Sequence, residues 1–234
     1  MKTTPKPKIW VISDTHFNHK GIVESRARPD FHGDRCLKKL KHRVSEDDIL
    51  IHLGDVIFAN QPELPRFLDF PCASKILVRG NHDTKSVFWY LKSGFDAVVD
   101  SFSLRYDGLD ILFTHKPQKE FAGDLNIHGH LHTMSHREEE SEWYSLDSPF
   151  HHLFSLEWVG YQPVWLKRIT ELYARHILDT KDRPDCPECT GQGGLRGILP
   201  DGKRCDTCLI YETDEAAKKQ LDWQTVYKPL LSNE

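Results

Sequence analysis

The sequence predicts an α/β fold: a layered core built on a mixed sheet, followed by a small C-terminal module held together by a metal. Two observations predict the core. Short β-branched apolar runs alternate with helical stretches between residues 8 and 178, the pattern of strands covered by helices. Later runs follow one another without intervening helices, which adds antiparallel pairs to the parallel ones. A third observation predicts the module. Residues 180–208 are rich in Gly, Pro, Asp and Cys and carry little apolar surface, so they need a staple to fold. The expected division is a core over 1–178, a metal-stapled module over 179–212, and a tail over 213–234 that docks a short helix.

The elements are read in order. Lys8-Ile9-Trp10-Val11-Ile12 is a buried strand that stops at Ser13-Asp14-Thr15-His16. In extended backbone, Asp14 and His16 stand two apart and share a side. Gly33 to Val44 is helical, with Leu37, Leu40 and Val44 inside and Lys38, Lys39 and Lys41 outside. Ile49 to Leu53 is a second buried strand ending at Gly54-Asp55. Pro62 to Phe70 is a short helix with Pro at its start. Lys75 to Arg79 is a third strand, ending at Gly80-Asn81-His82-Asp83, and Ser86 to Lys92 another short helix. Ala97 to Tyr106 and Leu109 to Thr114 form a hairpin around Asp107-Gly108, with its second arm ending at His115. Asp124 to His128 is a strand ending at Gly129-His130-Leu131-His132. A charged loop spans 135–148, Leu153 to Leu166 reads as a strand pair turning near Gly160-Tyr161-Gln162-Pro163, and Lys167 to Leu178 is a helix.

Composition narrows the class of function. The chain has 234 residues, 38% hydrophobic and 28% charged, with a net charge of −4. That charge offers no global basic field for general nucleic-acid binding. No apolar run is long enough to span a membrane, and the charged N-terminus leads straight into a strand without a signal-peptide apolar region. We expect a cytoplasmic protein with no membrane partner. Two cysteines are isolated, Cys36 and Cys72, and read as buried rather than ligating. The others form two CxxC pairs, Cys186/Cys189 and Cys205/Cys208, a pattern that in a reducing compartment favours metal over disulfide. Four thiolates in two such turns make a closed tetrahedral zinc site, structural because no position stays open.

Five strand ends carry metal-capable side chains: Asp14 and His16; Asp55; Asn81 and His82; His115; His130 and His132. In open α/β sheets, ligands bind in the crevice outside the carboxyl ends of the strands. The donors gathered there are the inventory of a two-metal site, with Asp55 the natural bridging anion. Imidazole mixed with carboxylate and amide leans away from magnesium or calcium. Such a pair can clamp and polarise a phosphate and hold a bridging hydroxide as nucleophile. His52, inside a strand, reads as a satisfied core residue; His128 is either structural or a support for His130; His32, His42 and His176 read as surface or helix residues.

These motifs, Asp14-x-His16, Gly54-Asp55, Gly80-Asn81-His82-Asp83, His115 and Gly129-His130-x-His132, in this order, resemble the calcineurin-like metallophosphoesterases over roughly residues 8–168. Ser13-Asp14-Thr15-His16-Phe17-Asn18-His19, Arg28-Pro29 and Gly160-Tyr161-x-Pro163-Val164 are most similar to small bacterial and phage members. The resemblance implies a four-layer αββα sandwich with a binuclear centre. It implies that Asp14, His16 and His132 hold one metal and Asn81, His115 and His130 the other, with Asp55 between them. It makes His82 and Asp83 the catalytic candidates, His82 protonating the leaving group and Asp83 orienting it. Phosphoprotein phosphatases of this superfamily carry an arginine shortly after Gly-Asp; Val56 to Asn60 has none, so His19, Arg26 or Arg28 would have to supply substrate-binding charge.

The function expected is therefore hydrolysis of phosphate esters, with phosphodiesters of nucleotides or nucleic acid favoured. The cofactors expected are two divalent ions, manganese first, with iron, zinc or nickel as alternatives, and one structural zinc on Cys186, Cys189, Cys205 and Cys208. Competing readings are a phosphomonoesterase or phosphoprotein phosphatase, and a catalytically silent binding scaffold on the same fold.

Overall fold

Residues 6–24, 28–57, 68–132 and 150–181 are described by the computed structural model, and among them nine strands form two sheets. In chain order the elements are β1 (Ile9–Ile12), α1 (Lys20–Glu24), α2 (His32–Arg43), β2 (Ile49–His52), β3 (Ser74–Val78), α3 (Val87–Lys92), β4 (Ala97–Val99), β5 (Ser101–Tyr106), β6 (Leu109–Thr114), β7 (Leu125–His128), β8 (His151–Leu153), β9 (Val164–Trp165) and α4 (Leu166–Lys181). The chain divides into two units, Met1–Tyr173 and Ala174–Glu234. The site described below lies in the first. Of the second, only the end of α4 is described. The helix expected over 62–70 lies outside the described residues up to residue 67. The charged loop, the cysteine module and the tail lie outside them entirely.

The first sheet runs β4-β3-β2-β1-β9, with β1 to β4 parallel and β9 antiparallel to β1. The second runs β5-β6-β7-β8; β5 and β6 are antiparallel, and β6, β7 and β8 are parallel. The parallel strands are apolar on both faces, as a strand buried on both sides must be: Trp10, Val11 and Ile12 of β1 and Leu50 and Ile51 of β2 are all buried. Asp48, just before β2, accepts from the Lys8 backbone N–H (2.7 Å) and from Trp10 Nε1 (2.9 Å), which sets the register of β1 against β2. No helix among the described residues is long and apolar enough to cross a membrane.

The Asp107-Gly108 turn forms as expected, with both residues at positive φ (55° and 85°), the twist-matched geometry of a two-residue hairpin. Its first arm is shorter than the sequence suggested. Residues 97–99 form β4 in the first sheet, and after Asp100 the chain enters the second sheet as β5. Apolar alternation runs through both pieces, so only the choice of partner strand separates them. The pair expected over 153–166 is likewise not a hairpin. β8 joins the second sheet and β9 the first, with the buried residues Phe154, Leu156 and Val159 crossing between.

Helix α2 packs through His32, Cys36, Leu40 and Val44, spaced by four, rather than through Leu37, which is half-buried. His32, read as a surface or helix residue, begins α2 and is buried, its Nδ1 donating to the Pro29 carbonyl (3.0 Å). Cys36 is fully buried and burial pushes its thiol up to about 12; Cys72 is half-buried. Helix α3 starts as read, with Ser86 Oγ accepting from Trp89 N–H (3.2 Å). The five-residue α1 had no counterpart in the reading.

Candidate metal centre

Every donor read from the sequence leaves the carboxyl end of a parallel strand: β1, β2 and β3 from the first sheet, β6 and β7 from the second. The two sets of ends meet. His115 Nδ1 donates to the Leu53 carbonyl (2.7 Å) and the His130 backbone N–H donates to Asp14 Oδ2 (3.0 Å). Gly129 permits this approach, because a Cβ there would overlap Ser13 Oγ and the Asp14 carboxylate.

Backbone conformation at these ends differs from the extended form used to read them. Asp14, His16, Asp55, His130 and His132 have φ of 49°, 44°, 54°, 68° and 49°. Their side chains therefore converge through left-handed turns and not through the two-residue alternation of a strand. Asp and His tolerate this region better than most residues, yet each instance costs about 1–3 kcal/mol and persists only where neighbours enforce it. Here the enforcement is visible. Asp14 N–H donates to Gly54 O and His16 N–H to Asp55 O (both 3.0 Å), extending the β1–β2 ladder into the loops.

Two groups of donors result: Asp14, His16 and His132, and Asp55, His115 and His130, the ligand atoms of each lying within 4.8 Å of one another. Asn81 Oδ1 joins the second group at 3.0 Å from His115 Nε2. Asp55 lies between the groups, its Oδ2 3.7 Å from His16 Nε2 and 3.4 Å from His115 Nε2. Its other oxygen accepts from the His82 backbone N–H (2.8 Å). Asp14 divides its oxygens in the same way. Oδ2 accepts from Ser13 Oγ (2.5 Å) and His130 N–H, while Oδ1 faces His132 Nε2 (3.7 Å) and His16 Nε2 (4.0 Å).

The donor set fits divalent cations. Asp14 Oδ1 and Asp55 Oδ2 are buried and accept no hydrogen bond among the described residues, which is costly for a carboxylate oxygen unless a cation satisfies it. His115 spends its Nδ1–H on Leu53, so in its neutral form Nε2 presents a lone pair toward Asn81 Oδ1, Asp55 Oδ2 and, at 3.2 Å, His130 Nδ1. With His130 Nδ1 unprotonated as well, four acceptors would face one another, an arrangement that a cation satisfies.

Electrostatics point the same way. Burial holds His16 neutral, well below its usual value. Burial also opposes the charge on Asp55, but His115, His16 and the His82 N–H outweigh it and keep the carboxyl below the usual range. His115 is the exception among the imidazoles: burial lowers it, yet Asp55 and Asp14 prevail and raise it to about 9. A cation entering at His115 must expel that proton. Manganese affinity of the metal-free protein should therefore rise about tenfold per pH unit between pH 7 and 9 and level off above, which calorimetric titration at several pH values would measure. An affinity flat across that window would mean that His115 is not a ligand.

The remaining candidates are placed as follows. His82 is about a third exposed, with Nε2 4.0 Å from Asp55 Oδ2. Asp83 accepts backbone N–H bonds from Asp55 (2.8 Å), Gly80 (2.8 Å) and Val56 (3.1 Å), so its carboxylate pins the loops carrying Asp55 and Asn81. His19 is half-buried with its ring 5.4 Å from that of His16. Arg28 is buried beneath the site, and Arg26 lies outside the described residues, as do Cys186, Cys189, Cys205 and Cys208. His52 donates from Nε2 to Thr15 Oγ1 (2.9 Å), which itself donates to Val56 O, and accepts from Gly54 N–H (3.1 Å) at Nδ1. One neutral tautomer satisfies all three bonds, and burial takes its pKa down to about 3. His128, also buried, donates to the Gly129 carbonyl (3.0 Å).

The sequence reading missed Glu157. It follows β8, a sixth strand end, and its Oε1 lies 3.2 Å from His132 Nδ1 and 2.8 Å from both Nε and Nη2 of Arg28. Burial favours its neutral form, but His132 and Arg28 outweigh that and hold it below the usual carboxylate range. A lone acid in the otherwise uncharged, largely apolar stretch Leu153 to Val159 was the available signal, because an unpaired charge is seldom buried.

Comparisons with known proteins agree with this geometry. The sequence pattern of the family described as calcineurin-like phosphoesterase matches residues 7–195. An uncharacterized protein of Methanocaldococcus jannaschii is 31% identical over 176 residues, covering 70% of this chain and 90% of that protein. The crystal structure of a protein of unknown function from Aquifex aeolicus is 27% identical with a TM-score of 0.57, and the match covers 71% of this chain and 99% of that one.

Proposed function

This chain belongs to the calcineurin-like phosphoesterase family, and from that premise we propose that it hydrolyses phosphodiesters of nucleotides or nucleic acid with two divalent cations. The observation that carries the proposal is the position of Asp55 Oδ2, between His16 of one donor group and His115 of the other. Asp14, His16 and His132 would hold one cation, Asn81, His115 and His130 the second, and Asp55 both. Such a pair, manganese first, supplies charge against the phosphate oxygens and makes hydroxide available near neutral pH.

The rest of the chemistry belongs to the chain. In hydrolysis an oxygen from water joins phosphorus while the bond to the ester oxygen breaks, and the departing oxygen needs a proton. His82 supplies it. Its backbone N–H is tied to Asp55 Oδ1, so the imidazole is held at the open edge of the donor groups where a substrate arrives. Asp83 keeps that edge rigid through its three backbone bonds.

Diester substrates are favoured by the surroundings. A cavity of about 520 Å³ adjoins the site through Asn81 and His115 and carries Arg79, Lys116, Gln118 and Thr114, together with Asp100 and Glu120. It has room and polar partners for the second substituent of a phosphate. The absence of arginine between Val56 and Asn60 disfavours a phosphoprotein phosphatase. The four cysteines of residues 179–212 are proposed to bind one structural zinc, and the protein to work in the cytoplasm.

A manganese-supplemented screen of a chromogenic monoester, a chromogenic diester, cyclic nucleotides and single-stranded DNA and RNA tests the proposal. Diester turnover is expected to exceed monoester turnover. The reverse order would reassign the protein as a phosphomonoesterase, and turnover of none would leave a binding scaffold.

A further inference from the structure

We propose that Glu157 is a positioning residue that sets the tautomer of His132 and so controls one of the two cation sites independently of the other. The inference rests on the two-cation reading above and extends it to a residue outside the ligand set. His132 can offer Nε2 to a cation beside Asp14 Oδ1 only if its proton sits on Nδ1. Two groups compete for that nitrogen: Glu157 Oε1, 3.2 Å away, which accepts a proton, and Arg28 Nη2, 3.0 Å away, which donates one. They have opposite consequences. With Glu157 in place, Nδ1–H donates to the carboxylate and Nε2 keeps its lone pair. Without it, Arg28 donates to Nδ1, and the imidazole proton moves to Nε2, where it faces Asp14 Oδ1 and excludes a cation.

The surroundings are built for the first arrangement. Arg28 has a side chain fully buried, and Glu157 one that is 14% exposed. Arg28 Nε and Nη2 both reach Glu157 Oε1, its Nη1 donates to the Asp14 carbonyl (2.5 Å), and Ser155 Oγ donates to Glu157 Oε2 (3.2 Å). Glu157 is thereby aimed at His132, while Arg28 braces the left-handed backbone at Asp14. The second donor group uses a different device, since His115 Nδ1–H is fixed by a backbone carbonyl that no side-chain substitution removes. One site is thus set by an ionised side chain and the other by the main chain. Partners of this kind around ligating histidines typically change metal affinity ~10–100-fold.

The test is a manganese titration of the full chain by calorimetry, with the histidine tautomers of the metal-free protein read by nitrogen-15 NMR. Manganese is chosen because thiolates, such as those of the C-terminal cysteines, select softer metals. Wild type should bind two ions with His132 protonated at Nδ1. Glu157→Ala should weaken one binding event ~10–100-fold, leave the other unchanged, and move the His132 proton to Nε2. Glu157→Gln, which keeps an acceptor oxygen, should recover Nδ1 protonation and much of the affinity. Arg28→Met should retain the Nδ1 tautomer even where thermal stability falls, which separates positioning from packing. A folded Glu157→Ala protein that binds both ions as wild type does, loses both equally, or keeps the Nδ1 tautomer overturns the inference. Wild type binding fewer than two ions overturns the two-cation reading and this inference with it.

Discussion

Replacing Asp55 with alanine is expected to lower manganese content below two ions per chain and to cut turnover at least ~10³-fold. In the proposed two-cation centre one oxygen would serve both sites. Asp55 Oδ2 lies 3.7 Å from His16 Nε2 of one donor group and 3.4 Å from His115 Nε2 of the other. Removing it deprives each cation of its shared anion, and cation charge supplies several kcal/mol of transition-state stabilisation, at 1.36 kcal/mol per tenfold in rate. Asp55→Asn separates charge from shape, because the amide oxygen can still accept the His82 N–H. It should lose metal nearly as severely and also let His115 fall from its raised pKa, since Asp55 is a main cause of that rise. Metal analysis with parallel turnover measurements decides the matter. A variant that keeps two ions and near-normal turnover would remove Asp55 from the bridging position.

Loss of His82 should behave differently. His82→Ala is expected to keep both manganese ions and lose ~10²–10⁴-fold in turnover of an ester with a strongly basic leaving group. The side chain is about a third exposed, and the interaction that ties this residue to Asp55 Oδ1 comes from its backbone N–H, which alanine retains. The loss should shrink for an ester of 4-nitrophenol, whose oxygen departs without needing a proton. Equal losses on both substrates, or loss of metal, would show that His82 supports the site and does not act as the acid.

Much of this site was legible in the chain. The five donor-bearing strands, β1, β2, β3, β6 and β7, are short and largely apolar, and each stops just before a donor, so strand end and ligand were read from the same boundary. Asp55 was read as the bridging candidate because two cations need a shared anion and the donor inventory held one carboxylate to spare. Other features were not legible, and each for a physical reason. Apolar alternation continues through Asp100, so the switch of sheets between β4 and β5 depends on which strand offers free hydrogen bonds. β8 and β9 read as a hairpin because nothing local shows that they have different neighbours. Asp14 and His16 were paired on an extended-strand argument, while the backbone there is left-handed. The two side chains come together through the turn instead.

Arg28 and Glu157 mark the boundary most clearly. As a sequence, Arg28 is a basic residue in a loop near the site, a reasonable phosphate ligand. In the fold it is buried under Asp14 and joined to an acid 129 positions away. The sequence by itself determined the donor-bearing strands, the family and the donor inventory, because periodicity and residue type are local properties. Tertiary structure alone decided which donors stand together, which groups face each histidine nitrogen, and whether an arginine is exposed or buried against the site. Those depend on distances between residues far apart in the chain, and the two sheets set them only where their carboxyl ends meet.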